Sequence, residues 1–458
     1  MRDETTPASP TAPRASASPA PAGFVHAIGL GRAAAMVIGT IIGASIFVQP
    51  SLVSGDVPST TGVLLVWTAA GALTLIGALV TAELSSAFPR TGGVYVFLRE
   101  GYGPGVAYLW GWAMFWSMHS GIVAAIATVF ARYLGQFIEL GDAGTRAAAV
   151  GSILALSAVN YVGVRWGSAL QTLFTVVKVL AVVGIVVLGA VFVFGGGGTP
   201  AASDGASGEL GAISGGAFIS AMVAGLFAYG GWHMVTYAAG ETRDASRTIP
   251  RALIIGTVAV TVAYIAVNAA YLAVLPFERV VASQRVAADF ADAVLGGSAG
   301  NAISVLVIIS ALGGMTGIIL SGPRVYLAMA RDGLLFRWIG SIHPTYRTPH
   351  IAIVLQAIWS SILVLTGTYR ALFTRVVYTE WIFFALMAAS LYFLRRRSNY
   401  APAYRVPAFR LLAGVFVLSS LAIVLHEMAR NPVDSLWGLG IVAAGLPVYW
   451  YWTRKRAR

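Results

Sequence analysis

Apolar runs of about twenty residues follow one another along almost the whole chain, divided by short polar breaks. A helix rises about 1.5 Å per residue, so such a run is what it takes to cross a hydrocarbon layer of about 30 Å. The ten-residue alternation of a spanning β-strand is absent. The pattern predicts an all-α membrane protein with about twelve transmembrane helices. They are expected at 31–54, 61–88, 104–134, 145–162, 167–194, 214–241, 251–274, 299–330, 350–368, 374–394, 407–428 and 435–453. The two longest connections, 195–213 and 275–298, contain Gly, Ala and Ser and read as loops.

Two of these runs differ from the rest. The first carries Gly39-Thr40-Ile41-Ile42-Gly43-Ala44-Ser45 in its middle, and the sixth carries Phe227-Ala228-Tyr229-Gly230-Gly231-Trp232. Each puts glycine near mid-membrane, and the two lie five segments apart. An odd offset makes the two halves run in opposite directions, the pattern of an inverted repeat whose discontinuous helices form a site. Glycine also serves close helix packing in membranes. It is the matched pair that favours a site.

Composition supports the class. Charged residues are 10% of the chain and hydrophobic ones 57%, whereas soluble domains carry about 25% charged residues. The absence of cysteine excludes disulfides, thiolate metal sites and a disulfide-linked partner. The net charge of +12 is spread between apolar runs and not gathered in one basic domain, so it speaks for membrane topology and lipid contact, not nucleic acid. With the N-terminus inside, 22 Lys and Arg fall on the inner side and 7 on the outer, which places both termini in the cytoplasm. Residues 1–24, rich in Ala, Pro, Ser and Thr, read as a disordered cytoplasmic tail and lack the apolar core of a signal peptide.

The glycine-bearing segments resemble those of the amino acid–polyamine–organocation (APC) superfamily, and within it the L-type, or LAT-like, amino acid transporters. The residues that carry the likeness are Gly39 to Phe47, then Ala82-Glu83-Leu84 and Phe88-Pro89-Arg90-Thr91-Gly92-Gly93-Val94-Tyr95. They continue with Lys178, Phe227 to Trp232, Gly240-Glu241 and Arg247-Thr248-Ile249-Pro250-Arg251-Ala252-Leu253. The resemblance implies a LeuT-like fold of two inverted five-helix repeats plus two C-terminal helices. The first repeat would cover 25–200 and the second 201–370, extending to about 395. Residues 396–458 would hold helices 11 and 12 and a basic cytoplasmic tail.

The resemblance also implies a site for an amino acid backbone at the two breaks, in a permease of the cell (plasma) membrane that works by alternating access. An unwound segment frees N–H and C=O groups that are tolerated at this depth only where something satisfies them. A carboxylate suits N–H groups at a half-helix N-terminus, and an ammonium suits carbonyls at a half-helix C-terminus. By matching position, Ile41, Gly43, Ala44 and Ser45 fall on the carboxylate side. Phe227, Ala228 and Gly230 fall on the ammonium side, with Phe227 as the gate. The family motif often reads Gly-Ser-Gly where this chain has Gly43-Ala44-Ser45, so Ser45 narrows the space and adds a hydroxyl.

Lys178 lies about 16 Å along its helix from Gly167, near the bilayer midplane, where a charge marks a functional or structural pair. In the family the matching lysine ties the first helix to the eighth, so Lys178 is expected to be a coupling group or a charged strut. Further candidates are Trp232 as packing, His233 for a proton-linked role, His119 for the substrate pocket, and Glu380 near the outer interface beside Arg375.

No His-Glu-x-x-His, exposed Gly-x-Ser-x-Gly, intramembrane carboxylate dyad or phosphate-cradling loop is found. The expected function is therefore secondary transport of amino acids, neutral ones favoured, by exchange or proton symport, with no enzyme activity, metal or cofactor. A polyamine or other organic cation is the alternative substrate. A channel or a non-transporting sensor is a more distant reading.

Overall fold

In the computed structural model, residues 28–196, 213–297, 299–367 and 369–454 are described. The tail expected at 1–24, the basic residues Lys455, Arg456 and Arg458 and most of the 195–213 connection lie outside them.

The first apolar run is divided. Helix α1 (Leu30–Ile41) stops where Ile42 and Gly43 turn extended, with Gly43 at φ −112° and ψ −169°. A 3₁₀ turn, Ala44–Phe47, then leads into α2 (Gln49–Asp56). Pro50 falls in the first turn of α2, where a missing N–H leaves no bond unmade, so the helix restarts without penalty. Next come α3 (Thr60–Ala87), α4 (Val94–Tyr102) in the first connection and α5 (Pro104–Ala113). A π turn, Met114–Met118, joins α5 to α6 (His119–Leu134). Helices α7 (Asp142–Val162) and α8 (Val164–Phe194) complete this part.

The sixth run is divided as well. Helix α9 (Gly215–Ala228) ends before Gly231, whose φ of +93° is left-handed and suits only glycine at low cost. The continuation, Trp232–Glu241, is 3₁₀ helix divided by a kink at Ala238 (φ −95°, ψ 17°), and not the α-helix expected there. 3₁₀ pieces stay short because their hydrogen-bond geometry is poor, which agrees with the interruption. Then follow α10 (Ala245–Val274), α11 (Phe277–Ala282) and α12 (Val286–Leu295), the last two in the 275–298 connection expected as a loop. Phe277, Val280 and Phe290 are buried there, and the Asp292 carboxylate accepts from the Gly300 N–H at 2.7 Å. This pins α12 to the start of α13 (Ala299–Arg331). Helices α14 (His350–Thr366), α15 (Tyr369–Leu394), α16 (Phe409–Arg430) and α17 (Pro432–Arg454) end the chain.

Among the described residues, nine helical stretches are long and apolar enough to cross a membrane, and Leu30–Ile41 and His350–Thr366 are shorter apolar helices. Helix α10 runs along α3 and α1, and α13 along α6 and α8, so the broken segments are enclosed by unbroken helices.

One buried ion pair fixes the end of α3. Glu83 is fully buried, and it accepts from Arg395 Nε at 2.8 Å, from the Val406 N–H at 2.7 Å and from the Tyr400 hydroxyl at 3.2 Å. A carboxylate out of water persists only with such multiple donors. Burial and the adjacent carboxylate hold the Tyr400 phenol well above its usual range. At the same end of the molecule, Arg99 pairs with Asp332, Tyr95 donates to Asp332 at 2.6 Å, and Arg324 pairs with Glu241 at 3.3 Å. These bonds tie α4 and the 3₁₀ run to α13.

Candidate functional site

The two breaks touch. The Thr40 hydroxyl lies 3.2 Å from the Gly231 carbonyl, and a Cβ on Gly231 would stand 2.9 Å from the Thr40 carbonyl oxygen. Glycine at 231 therefore serves twice, for its positive φ and for this approach. The chain before α1 is joined to the far end of the second break, through Ile28 N–H to Glu241 O at 3.1 Å and Arg243 N–H to Ile28 O at 2.9 Å.

Carbonyls released by the breaks find donors on neighbouring helices. The Tyr264 hydroxyl on α10 lies 2.9 Å from Ile41 O and 3.2 Å from Ala228 O, so one group serves the end of each half-helix. Tyr133 on α6 donates to Phe47 O at 3.1 Å. Lys178, fully buried on α8, donates to Gly39 O at 3.1 Å. Its aliphatic stem passes α13 so closely that a Cβ on Gly313 would lie 3.0 Å from its Cε, and one on Gly314 would lie 4.0 Å from its Nζ. The lysine thus bridges the broken α1 and α13. Glycine at 313 also admits Phe174, whose Cβ would stand 2.4 Å from an added methyl.

Between the breaks lies one cavity. Thr40, Ile41, Gly43 and Ser45 line it from the first break, and Phe227, Gly230, Gly231, Trp232 and Met234 from the second. Ile122 and Ile126 of α6 and Gly314 and Ile318 of α13 form further walls, and α15 contributes Val376, Val377, Glu380, Trp381 and Phe384. The lining is chiefly apolar, with backbone from the two half-helix ends and few polar side chains, as small-molecule sites commonly are.

Most of the residues singled out in the sequence meet here. Ile41, Gly43, Ser45, Phe227, Gly230, Trp232 and Glu380 all line the cavity. Ala44 and Ala228 belong to the same two segments but are buried outside its lining. Lys178 stands behind α1. Glu380 is buried against the cavity, close to His119 and His233. These two histidines lie behind the cavity wall and do not line it. Trp232 both lines the cavity and packs on Phe384, with ring centroids 5.2 Å apart.

Sequence reasoning missed Tyr264, Tyr133 and the π turn. Just after that turn the Ser120 hydroxyl donates back to Phe115 O at 2.7 Å, and His119, the first residue of α6, is fully buried. An aromatic hydroxyl within an apolar run is a weak signal, because buried tyrosines seek any acceptor. The Gly313-Gly314 pair inside an otherwise apolar helix was the readable sign of close approach.

The sequence profile described as amino acid permease matches residues 28–446. The serine/threonine exchanger SteT of Bacillus subtilis (strain 168) is 31% identical over 445 residues, covering 95% of this chain and 98% of that protein. The b(0,+)-type amino acid transporter 1 of Homo sapiens is 30% identical, covering 92% and 87% respectively. The large neutral amino acids transporter small subunit 2 of Mus musculus is 30% identical, covering 98% and 86%.

Proposed function

The chain belongs to the amino acid permease family and is an integral membrane protein that transports amino acids, not an enzyme; from that premise we propose that it exchanges small neutral amino acids at the cavity between its two breaks. One observation carries the reading: Ile41, Gly43 and Ser45 from one break and Phe227 and Gly230 from the other line a single cavity. At the first break the 3₁₀ turn and α2 begin, and the first N–H groups of a helix lack intrahelical partners, so a carboxylate belongs there. At the second, α9 ends, and its last carbonyls suit an ammonium. The substrate side chain then meets Ile122, Ile126, Ile318, Val376 and Val377, which favour a neutral group. Serine/threonine exchange by SteT, 31% identical, supports exchange and a small substrate.

In this reading twelve helices span the cell membrane as two inverted five-helix repeats plus α16 and α17, with both termini cytoplasmic. Alternating access moves the half-helices against α3, α10 and α13. Phe227 closes over the substrate, and Lys178 is a strut holding the end of α1 to α13. The test is counterflow in proteoliposomes. Labelled serine, threonine or alanine should accumulate when the lumen holds the same unlabelled amino acid and stay near background when it does not. Equal uptake with an empty lumen would reject exchange, and no uptake of any amino acid would reject the site.

A further inference from the structure

Behind the cavity wall formed by Trp232 and Phe384, three protonatable side chains from three elements converge. His119 opens α6 just after the π turn, His233 is the second residue of the 3₁₀ run beyond the break, and Glu380 lies in mid-α15 and lines the cavity. One nitrogen or oxygen atom from each lies within 4.8 Å of those of the other two. All three residues are buried, His119 and His233 fully. Among the described residues, both ring nitrogens of each histidine and Oε1 of Glu380 have no hydrogen-bond partner.

Five orphaned polar atoms in one interior spot are unusual, because buried polar atoms are nearly always bonded and each unmet one costs about 1–3 kcal/mol. The surroundings do not supply partners. His233 faces the rings of Phe384 at 5.0 Å, Trp232 at 5.5 Å and Tyr237 at 5.6 Å, and α5 presents Trp110 at 6.2 Å. The other protonatable groups facing the cluster are Tyr237, 6.3 Å from His119, and Tyr326 of α13 beside Tyr237. From α14 comes Gln356, which reaches the same point near Gly322 as His119 Nδ1. The hydroxyls of Tyr237 and Tyr326 and both amide atoms of Gln356 are likewise without partners. These groups lead from the cluster toward the end of the molecule where Arg324 pairs with Glu241.

Charge decides what such a set can hold. Without any proton on Glu380 and with neutral imidazoles, it carries one buried negative charge; with one added proton it is neutral, as a carboxylic acid beside imidazole or as a carboxylate–imidazolium pair. The neutral set is the one that a low-dielectric site favours. Geometry agrees. Three atoms no more than 4.8 Å apart enclose a point at most about 2.8 Å from each, the distance at which one hydrogen-bonded water would relay a proton among them.

We propose that His119, His233 and Glu380 hold one exchangeable proton whose binding opposes that of the amino acid, so that the arriving substrate releases it. The proposal rests on the cavity being the amino acid site. Glu380 shares that cavity with Phe227 and Gly230, where the substrate ammonium sits. A cation there favours the carboxylate. The Glu380 O–H bond breaks, the proton passes to an imidazole nitrogen and then to solvent, and no electrons are transferred. Linkage makes the effect reciprocal: acid weakens amino acid binding, and amino acid binding expels a proton.

The experiment measures proton release on amino acid binding by the purified carrier in weakly buffered detergent solution with a pH-indicating dye. Apparent affinity is measured from pH 5.5 to 8 alongside it, together with the zinc content of the protein. The parent should release up to one proton per amino acid bound, and its apparent Kd should rise with acidity by at most about tenfold per pH unit. Glu380→Gln should abolish both the release and the pH dependence. His233→Gln, which leaves the cavity lining intact, should reduce release and displace the pH dependence. Amino acid binding without proton release and with a flat pH profile would overturn the proposal while leaving the transport site standing. Absence of amino acid binding at any pH would instead defeat the site itself, and the proposal with it. Undiminished release in Glu380→Gln, or one zinc per protein that is lost in His233→Gln, would also overturn it.

Discussion

A single methyl group at each break separates a ligand-binding glycine from a structural one. At Gly43 an added Cβ would find nothing nearer than Ile41 O and Ser45 Oγ, both at 3.8 Å, and the backbone there is extended, which alanine adopts readily. Gly43→Ala is thus expected to leave the fold as stable as the parent, or firmer by about 0.4–1 kcal/mol through a less flexible unfolded chain. The methyl would, however, project where the substrate carboxylate is proposed to sit. Loss of one charge-assisted hydrogen bond is worth about 1.5–3 kcal/mol, which raises KM about 10- to 150-fold. Gly231→Ala should behave in the opposite way. Its φ of +93° costs alanine about 1–2 kcal/mol, and its Cβ would stand 2.9 Å from Thr40 O, so the two breaks must move apart. Thermal unfolding in detergent should fall for Gly231→Ala and stay unchanged for Gly43→Ala, while counterflow is impaired in both. A Gly43→Ala carrier with parental KM would refute the placement of the carboxylate.

Further expectations concern the supports of the site. Lys178→Ala should cut counterflow at least about fivefold by leaving Gly39 O without its donor, a loss of about 1–3 kcal/mol. If Lys178 is a strut, a Lys178→Arg carrier that folds should retain part of the flux, and the parent's flux should follow Glu380 and not Lys178 in its pH dependence; full activity in Lys178→Ala would refute the role. Glu83→Ala should lower stability by about 3–5 kcal/mol, seen as a lower unfolding temperature in detergent, because it strands Arg395 and the Val406 N–H. Phe227→Ala should raise KM and accelerate leak of preloaded amino acid if the ring closes the site.

What the sequence revealed follows from which features are local. Breaks at Gly43 and Gly230 were legible because two glycine-bearing segments recur at matched positions five runs apart, which packing glycines such as Gly313 do not. Lys178 stood out because a cation at mid-membrane needs a reason. The π turn before His119 and the 3₁₀ run from Trp232 to Glu241 were not legible, since packing against neighbouring helices selects them over the α-helix that the same residues would otherwise form. Helices α11 and α12 were hidden in a stretch too short and too mixed to read as a span. His119, His233 and Glu380 each looked like isolated candidates, and only the folded arrangement brings them within 4.8 Å.

The central claim, that the cavity reads the two backbone charges of an amino acid, is tested most directly by competition against labelled substrate in proteoliposomes. The competitors are the parent amino acid, its methyl ester and the amine left by its decarboxylation. Each analogue lacks one charged partner for the half-helix ends. Both should compete at least about tenfold more weakly than the parent, the minimum expected for one lost charge-assisted bond. Competition by the amine equal to that of the amino acid would contradict the claim and point to an organic-cation carrier.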